Sequence, residues 1–316
     1  MKLKSLDRLA FRGLAWDEYD LILLASGFER RSVHILQSVP DSVLPRVVVL
    51  GFNGDVDKLS RAENDRDFLD RNLKPAILSS EIAYEELLKR SLFAASDASH
   101  SARPARILVD YSVMTRAWYG YILTWLRYSE GASQVDADFV YAHGDYEGDF
   151  EPLHIQSVLA IPGFEGVCAG ARSTAAVYGL GFDRYAMLAL HEQIEPDSLV
   201  CFLAQESPHD ARTERAITEN ADIIRMSNVE PLRIPLSDLA EIYRILFEAM
   251  STIDADSEIV AVPMGPKPHV LGTLLVAQAI PRVTCLHAKG YRHKPVQVSA
   301  TGEVSAWRLS YRQSGN

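Results

Sequence analysis

The stretch at residues 259–269 reads IVAVPMGPKPH, and a second apolar segment, residues 270–280, follows it directly. A short apolar run, a glycine–proline turn and a longer apolar run predict a strand, a tight turn and the start of a helix. Gly265 permits an unusual backbone angle, and the two prolines after it stiffen the turn. The sequence therefore predicts that the Lys267 ammonium is held in a fixed place at a helix N-terminus.

The same layout occurs earlier in the chain, at residues 107–116, which read ILVDYSVMTR and precede a further apolar segment, 117–128. Asp110 ends the predicted strand, and Arg116 stands where the later stretch has its lysine. Both stretches place one cation beside a turn at the start of a helix. We interpret them as two copies of one loop.

Three further matches run in the same order along the chain, so the similarity extends beyond the two loops. They are GFER at 27–30 with GFDR at 181–184, VVVL at 47–50 with VCFL at 200–203, and YAHG at 141–144 with HAKG at 287–290. The separation stays at about 146 to 154 residues. Collinear matches at a nearly constant separation predict a tandem duplication.

Within each copy, short apolar strands alternate with helical segments, which predicts an α/β fold with a parallel, doubly wound sheet. We expect two tandem Rossmann-like units at residues 1–145 and 175–290. A linker at 146–174, which breaks the alternation, is expected to join them. The polar C-terminal residues 291–316 predict a short β-rich tail.

Composition limits the classes of function. The chain has 316 residues, 47% of them hydrophobic, and a net charge of −10. Proteins that wrap long nucleic acids usually carry a basic stripe, so direct binding of duplex nucleic acid is not expected. A small anionic ligand remains compatible with this charge, because a few local cations and backbone N–H groups suffice to hold it.

Compartment is inferred from the cysteines and from hydropathy. Cys168, Cys201 and Cys285 are widely spaced and form no CxxC motif, which favours free thiols in a reducing compartment. The charged N-terminus does not resemble a signal peptide, and no apolar stretch approaches the roughly 20 residues of a membrane span. We therefore expect a cytoplasmic protein that does not contact a membrane.

Several cofactor motifs are missing from the sequence. It contains no GxxxxGK[ST] phosphate loop and no GxGxxG dinucleotide loop. Its nine histidines show neither HExxH nor HxH spacing, so no metal site is expected. We expect no cofactor.

Ligands of an open parallel sheet bind beyond the carboxyl ends of its strands, where the loops enter the helices. The residues predicted to bind a ligand there share that position in the two copies. In the first copy they are Ser26, Gly27, Phe28, Glu29, Arg30, Asp110, Ser112, Thr115 and Arg116, and in the second Gly181, Asp183, Arg184, Met264, Gly265, Lys267 and His269.

The roles of these residues stay open at the level of sequence. Glu29 and Asp183 either cap the helices that follow or bind a ribose hydroxyl. Asp110, with Ser112 and Arg116, either positions a ribose and a phosphate or forms a buried polar network around a turn. Asp110 is also the best candidate for a general base. The aromatic residues of segment 117–128 belong to a core or subunit interface, or else stack on bases.

The paired Rossmann-like copies, each with a Gly/Ser loop and a later cationic turn, resemble the CARF and SAVED ligand-sensing domains of prokaryotic antiviral systems. The turn at 264–269, MGPKPH, looks like the CARF pattern Gly-[Gly]-Thr-Lys-x-Met, whose lysine contacts a cyclic oligonucleotide. SAVED domains are similar to two fused CARF units. This chain departs from the pattern at Pro266, which stands in place of Thr, and at 114–116, which read MTR. The resemblance implies an antiviral sensor that acts with a separate effector protein.

Three functions compete on this reading. The first is a regulatory module that binds a small anionic nucleotide. The second is a hydrolase or transferase that acts on a nucleotide or sugar phosphate through Asp110. The third is a scaffold subunit of a defence complex, which contacts its partner through the aromatic segment 117–128. We favour the binding module over the catalyst.

Overall fold

The computed structural model describes residues 1–54, 57–78, 80–98, 103–129, 133–148, 151–168, 170–208 and 210–313. The chain divides into two compact units. Unit 1 consists of Met1–Asp149 and Pro295–Asn316, and unit 2 consists of Phe150–Lys294.

The strands of the described residues are numbered in chain order. They are β1 (Lys2–Leu9), β2 (Leu21–Ser26), β3 (Val47–Phe52), β4 (Ala76–Leu78), β5 (Ala105–Asp110), β6 (Gln134–Glu147), β7 (His154–Ala160), β8 (Ser173–Gly179), β9 (Ser198–Ala204), β10 (Leu232–Ile234), β11 (Ser257–Pro263), β12 (Val283–Tyr291) and β13 (Gln297–Arg312).

The α-helices alternate with these strands. They are α1 (Arg61–Asp70), α2 (Glu81–Ala98), α3 (Arg116–Tyr128), α4 (Arg184–Ile194), α5 (Ala211–Glu219), α6 (Ala221–Ser227), α7 (Leu239–Ser251) and α8 (Lys267–Ala279). Among the described residues, no helix has the length and apolar character needed to cross a membrane.

The two sheets have the same strand order. In unit 1 the parallel strands lie in the order β4-β3-β2-β5-β6, and in unit 2 in the order β10-β9-β8-β11-β12. In each unit, the first parallel strand in the chain lies at the centre, with the second and third on one side and the fourth and fifth on the other. The predicted pair of Rossmann-like α/β units is therefore confirmed.

Strand register repeats between the units as well. Leu21 of β2 pairs with Ile107 of β5, and the matching residue of β8, Ala175, pairs with Ile259 of β11. A one-residue difference in register would have turned every side chain of one strand to the opposite face. The sequence matches at the first and fourth parallel strands therefore correspond to equivalent positions in three dimensions.

The match at the second parallel strand needs a correction of one residue. The aligned runs VVVL and VCFL make Leu50 equivalent to Leu203. In the sheets, however, Leu50 pairs with Ala25, and Phe202 pairs with Gly179, the counterpart of Ala25. Both runs are almost uniformly apolar, as expected for strands covered on both faces, so the sequence does not distinguish neighbouring registers.

The segment predicted as a linker, 146–174, contributes β7 to the sheet of unit 2. β7 pairs antiparallel with β12, and the C-terminal strand β13 pairs antiparallel with β6 in unit 1. Glu147 at the end of β6 lies opposite Gln297 at the start of β13. Unit 2 is therefore inserted within an antiparallel β6–β13 pair, and its own ends are brought together where His154 pairs with Tyr291.

The core of unit 1 forms around β2, which is buried along its whole length between β3 and β5. Trp118, Tyr119 and Trp125 of α3 are buried as well. Burying a large apolar side chain contributes roughly 1.5–3 kcal/mol. Of the two roles left open for the aromatic helix, the structure supports a place in the core for these three rings.

Candidate functional site

The predicted residues lie at the carboxyl edges of the parallel strands, one edge in each unit. In unit 1, the backbone of Gly27 is fully engaged within the chain. Its N–H donates to Ser32 Oγ at 3.0 Å, and its carbonyl accepts from Asn64 Nδ2 at 2.8 Å. The neighbouring carbonyl of Phe28 accepts from Ser60 N at 3.2 Å. This loop is therefore built as a rigid support.

No α-helix follows this loop at residues 33–39, whereas α4 directly follows the equivalent loop of unit 2. Two 3-10 turns, Arg30–Val33 and Leu36–Ser38, occupy that segment. Buried side chains explain the difference. Ser32 Oγ donates to Ala25 O at 2.8 Å, and Arg31 Nη1 donates to Ala142 O at 3.1 Å. These bonds tie the segment to the sheet and hold it in short turns.

The charged residues after Gly27 pair with one another or with β6. Arg31 Nε donates to Glu29 Oε2 at 2.6 Å, and Arg31 Nη1 also donates to Tyr141 Oη at 3.0 Å. Arg30 forms an exposed ion pair with Glu147 at 3.0 Å. The Glu29 side chain makes no capping hydrogen bond to the turn that follows. In this structure its carboxylate instead accepts from a buried arginine that the sequence analysis did not select.

Ser26, at the end of β2, reaches into α1. Its Oγ donates to Asp65 Oδ1 at 2.5 Å. Asp65 also accepts from Arg61 Nε at 2.9 Å, and the Arg61 side chain is almost completely buried. Arg61 Nη1 donates to the carbonyl of Phe52 at 3.2 Å. Ser26 is thus part of a network that joins the ends of β2 and β3 to the first turn of α1.

Asp110 is fully buried, at 0% exposure, at the end of β5. Its Oδ1 accepts from Ser112 N at 3.0 Å and from Ser112 Oγ at 2.5 Å. Ser112 Oγ in turn accepts from the backbone N–H of Ala142 at 2.8 Å. Of the roles open at the level of sequence, this arrangement supports the buried polar network.

The start of α3 keeps its predicted cation. Thr115 is the N-cap of the helix, and its Oγ1 accepts from Trp118 N at 3.2 Å. Arg116 is the first helical residue. In unit 2, Pro266 takes the N-cap position of α8 and Lys267 is the first helical residue. Arg116 and Lys267 are therefore each the first residue of the helix that follows the fourth parallel strand of their sheet.

Gly181 and Gly265 allow two loops of unit 2, those after β8 and β11, to pack closely. A Cβ on Gly181 would lie 2.4 Å from the carbonyl oxygen of Met264, and a Cβ on Gly265 would lie 3.1 Å from that of Leu180. Met264 N donates to Gly179 O at 2.9 Å. The ends of β8 and β11 are thus joined backbone to backbone, which places Lys267 directly beside this joint.

Asp183, the acidic residue of GFDR at 181–184, pairs with an arginine, as Glu29 of GFER does in unit 1. Asp183 Oδ2 pairs with Arg292 Nη2, and Oδ1 accepts from Leu153 N at 3.1 Å. Asp183 makes no capping bond to α4. The next residue, Arg184, pairs with Asp222.

His269 lies inside unit 2, at 1% exposure. Its Nε2 donates to the carbonyl of Pro235 at 3.0 Å, and burial lowers the pKa of the imidazole to about 4. The ring is therefore neutral at pH 7 and links α8 to the loop after β10. This geometry gives His269 a positioning role at the base of the edge.

Asn64 and Asn220 are edge residues that sequence reasoning missed. Asn220 Nδ2 donates to Gly181 O at 2.7 Å, just as Asn64 Nδ2 does to Gly27 O. Both asparagines lie beyond the second parallel strand, in the helical region that follows it. A longer search for repeats would have paired them, because their separation is close to that of the glycines they hold.

Among the described residues, no group of three or more His, Cys, Asp or Glu side chains is arranged to hold a metal ion. No family model matches this chain, and no curated protein matches it. Among solved structures, PA1789 of Pseudomonas aeruginosa PAO1, described as functionally unknown, is matched over 87% of this chain and 94% of its own. The identity is 8% and the TM-score 0.25, and a similarity of that size supports no conclusion about fold or function.

Proposed function

We propose that the protein senses a small anionic nucleotide, which binds at the carboxyl edges of its parallel strands. The observation that carries the proposal is the equivalent placement of Arg116 and Lys267, each the first residue of the helix after the fourth parallel strand. Helix N-termini carry a partial positive charge, so a cation placed there adds to an existing preference for anions.

The rest of each edge supplies rigidity. The asparagine bonds to Gly27 and Gly181, together with the packing of Met264 against Gly181, hold the loops in place before any ligand arrives. A preorganised site loses less conformational freedom on binding, which favours affinity. Because the protein has a net charge of −10, it attracts an anion only where cations and N–H donors are concentrated locally.

The competing functions have less support in the geometry. A general base must reach its substrate, and Asp110 is enclosed, with Oδ1 already accepting two bonds from Ser112. A docking surface on α3 would need its aromatic rings outside, whereas Trp118, Tyr119 and Trp125 are buried. We therefore retain the binding module. Through its resemblance to CARF and SAVED domains, the proposal extends to prokaryotic antiviral defence and a separate effector protein.

Thermal unfolding of the full chain with a panel of cyclic di-, tri- and tetranucleotides tests the proposal. A ligand at about 100 times its Kd stabilises the folded state by about 2.7 kcal/mol, which raises Tm by roughly 5 °C or more. No shift with any member of the panel would count against the proposal.

Two pairs of variants locate the site. Lys267→Met and Arg116→Met should reduce the ligand-induced shift, since each removes one cation from a helix start. The exposed Lys74→Met and Arg66→Met are matched controls, and we expect them to keep the full shift. An equal ligand-induced shift in Tm for all four variants would exclude the starts of α3 and α8 as the binding site.

A further inference from the structure

One basic and aromatic segment lies outside the predicted site. Residues 289–294 read KGYRHK, which places three cations, a tyrosine and a histidine within six positions of an acidic protein. The exposed residues of this segment are Lys289, Tyr291, His293 and Lys294. Cationic residues interleaved with aromatic ones are the combination that single-stranded nucleic acids and nucleotides bind, because phosphates need charge and bases need flat apolar faces.

The fold adds a third ring to this segment. His154, at the start of β7, lies opposite Tyr291 in the antiparallel pair, and the two rings stack with centroids 5.2 Å apart and an interplanar angle of 19°. His293 packs edge-on against both, at 4.8 Å from His154 and 5.1 Å from Tyr291. Tyr291 remains 45% exposed. We call these three rings, with Lys289 and Lys294, the aromatic–basic patch.

Backbone geometry brings these rings together. The register between β7 and β12 shifts at Lys289 and Gly290, which pair with Ser157 and Ile155, so β7 carries one extra residue, Gln156, at this point. A Cβ on Gly290 would lie 2.1 Å from the carbonyl oxygen of His154, so only glycine allows the two strands to approach this closely. The shift is a local irregularity of the kind that redirects side chains at the end of a strand.

The patch lies at the carboxyl edge of the parallel strands in unit 2. β12 runs on to Tyr291, well beyond Cys285, its last residue paired with β11. Arg292, between the two exposed rings, donates from Nε to Glu151 O at 2.8 Å and pairs with Asp183 of the loop after β8. Asp183 thereby anchors the patch to the Gly181 loop.

The charges around the patch leave it basic. Asp183 pairs with Arg292, and the Glu151 carboxylate, which accepts from the backbone N–H of Lys294 at 2.9 Å, offsets one of the two remaining cations and leaves the patch with a net positive charge. Lys289 and Lys294 are exposed and flank the ring residues Tyr291 and His293 in the sequence. A ligand that combines a flat ring with an anionic group matches both the aromatic rings and the positive charge of the patch.

We propose that the aromatic–basic patch is a nucleotide subsite, in which a nucleobase stacks on the nearly parallel rings of His154 and Tyr291, the His293 ring meets it edge-on, and its phosphate lies against Lys289 and Lys294. This proposal rests on the proposed function, because it takes the ligand to be a nucleotide. The patch is the part of unit 2 that binds the base.

Histidine side-chain NMR of the full-length protein, titrated in EDTA with AMP or with ribose 5-phosphate, tests this proposal. Variants His154→Ala and His293→Ala assign the two signals. We expect AMP to shift both signals, and ribose 5-phosphate, which lacks a base, to shift them far less. An absence of shifts with AMP, or equal shifts with both compounds, would overturn the subsite.

The variant Tyr291→Ala should weaken AMP binding about tenfold, within the range expected for loss of one stacking partner. Tyr185→Ala, which removes another exposed tyrosine of unit 2, is the matched control and should bind AMP like the wild type. Unchanged affinity in Tyr291→Ala, with an unchanged Tm, would also overturn the subsite.

The two proposals fail in distinguishable ways. Binding of AMP at the patch without binding of any cyclic oligonucleotide would overturn the sensing function and support the subsite. Binding of a cyclic oligonucleotide with equal affinity to the wild type and Tyr291→Ala would overturn the subsite and support the sensing function.

Discussion

Asn64 and Asn220 make the same hydrogen bond in the two units of the chain. Each donates from Nδ2 to the carbonyl of the glycine that follows the first parallel strand, Gly27 at 2.8 Å and Gly181 at 2.7 Å. The second N–H of each amide is used as well, on Glu29 O or Ala216 O. The duplication has therefore kept a side chain that shapes the edge loop, although Asn64 lies within α1 and Asn220 lies between α5 and α6.

Replacing either asparagine with leucine should destabilise the fold. Asn64→Leu leaves the carbonyls of Gly27 and Glu29 without their donor in a buried place, and each unsatisfied group costs about 1–3 kcal/mol. We expect a loss of about 2–4 kcal/mol in the free energy of unfolding, measured with urea, and a similar loss for Asn220→Leu. The exposed Asn53→Leu is the control. A loss below 0.5 kcal/mol, on the scale of an ordinary surface substitution, would show that these bonds do not hold the loops.

Unit 1 should fold without unit 2, provided that β13 is kept. Glu147 and Gln297 lie opposite each other in an antiparallel pair, so a two-residue Asn-Gly turn in place of residues 148–296 is able to connect them. We expect one cooperative thermal transition for this shortened chain. The fragment 1–149 is the comparison. It lacks β13 and the buried side chains of Trp307, Leu309 and Tyr311, and should show no cooperative transition. Equal stability of the two chains would contradict the topology.

Acid should weaken the protein partly through His269. Burial lowers its pKa from 6.5 to about 4, so below pH 6.5 the unfolded chain takes up a proton that the folded chain does not. This contribution to stability is complete above pH 6.5 and falls by about 3 kcal/mol as the pH drops to 4. His269→Gln keeps a donor for Pro235 O and should flatten the dependence of Tm on pH across this interval. The exposed His293→Gln should follow the wild type, and an equally steep curve for His269→Gln would reject the assignment.

Thiol reactivity should separate the three cysteines. Cys201 and Cys285 are buried, and burial raises the pKa of Cys201 to about 12 and that of Cys285 well above its usual value. Because the thiolate is the reactive form, Ellman's reagent should label only Cys168 in the native protein and all three thiols in denaturant. Cys168→Ser should abolish the fast reaction. Rapid labelling of two thiols in that variant would show that the core around β9 and β12 opens readily.

Much of the fold follows from local patterns. Short apolar runs separated by Gly/Pro turns and helical segments indicate parallel strands, because buried strands need apolar side chains on both faces. The repeated GF[DE]R and strand-end matches indicate the duplication, which the common strand order then confirms. The equivalent cations Arg116 and Lys267 were also visible in the sequence, since their place depends only on the strand and helix around them.

The partners of charged and edge residues were decided by the tertiary structure. Nothing local indicates that Asp183 holds Arg292 or that His154 stacks on Tyr291. The strands β7 and β13 likewise read as linker and tail, because an antiparallel edge strand is stabilised by a partner far away in the sequence. Local composition determines which segments become strands and helices. Pairing between distant segments determines which polar groups are used inside the fold and which remain exposed at its edge.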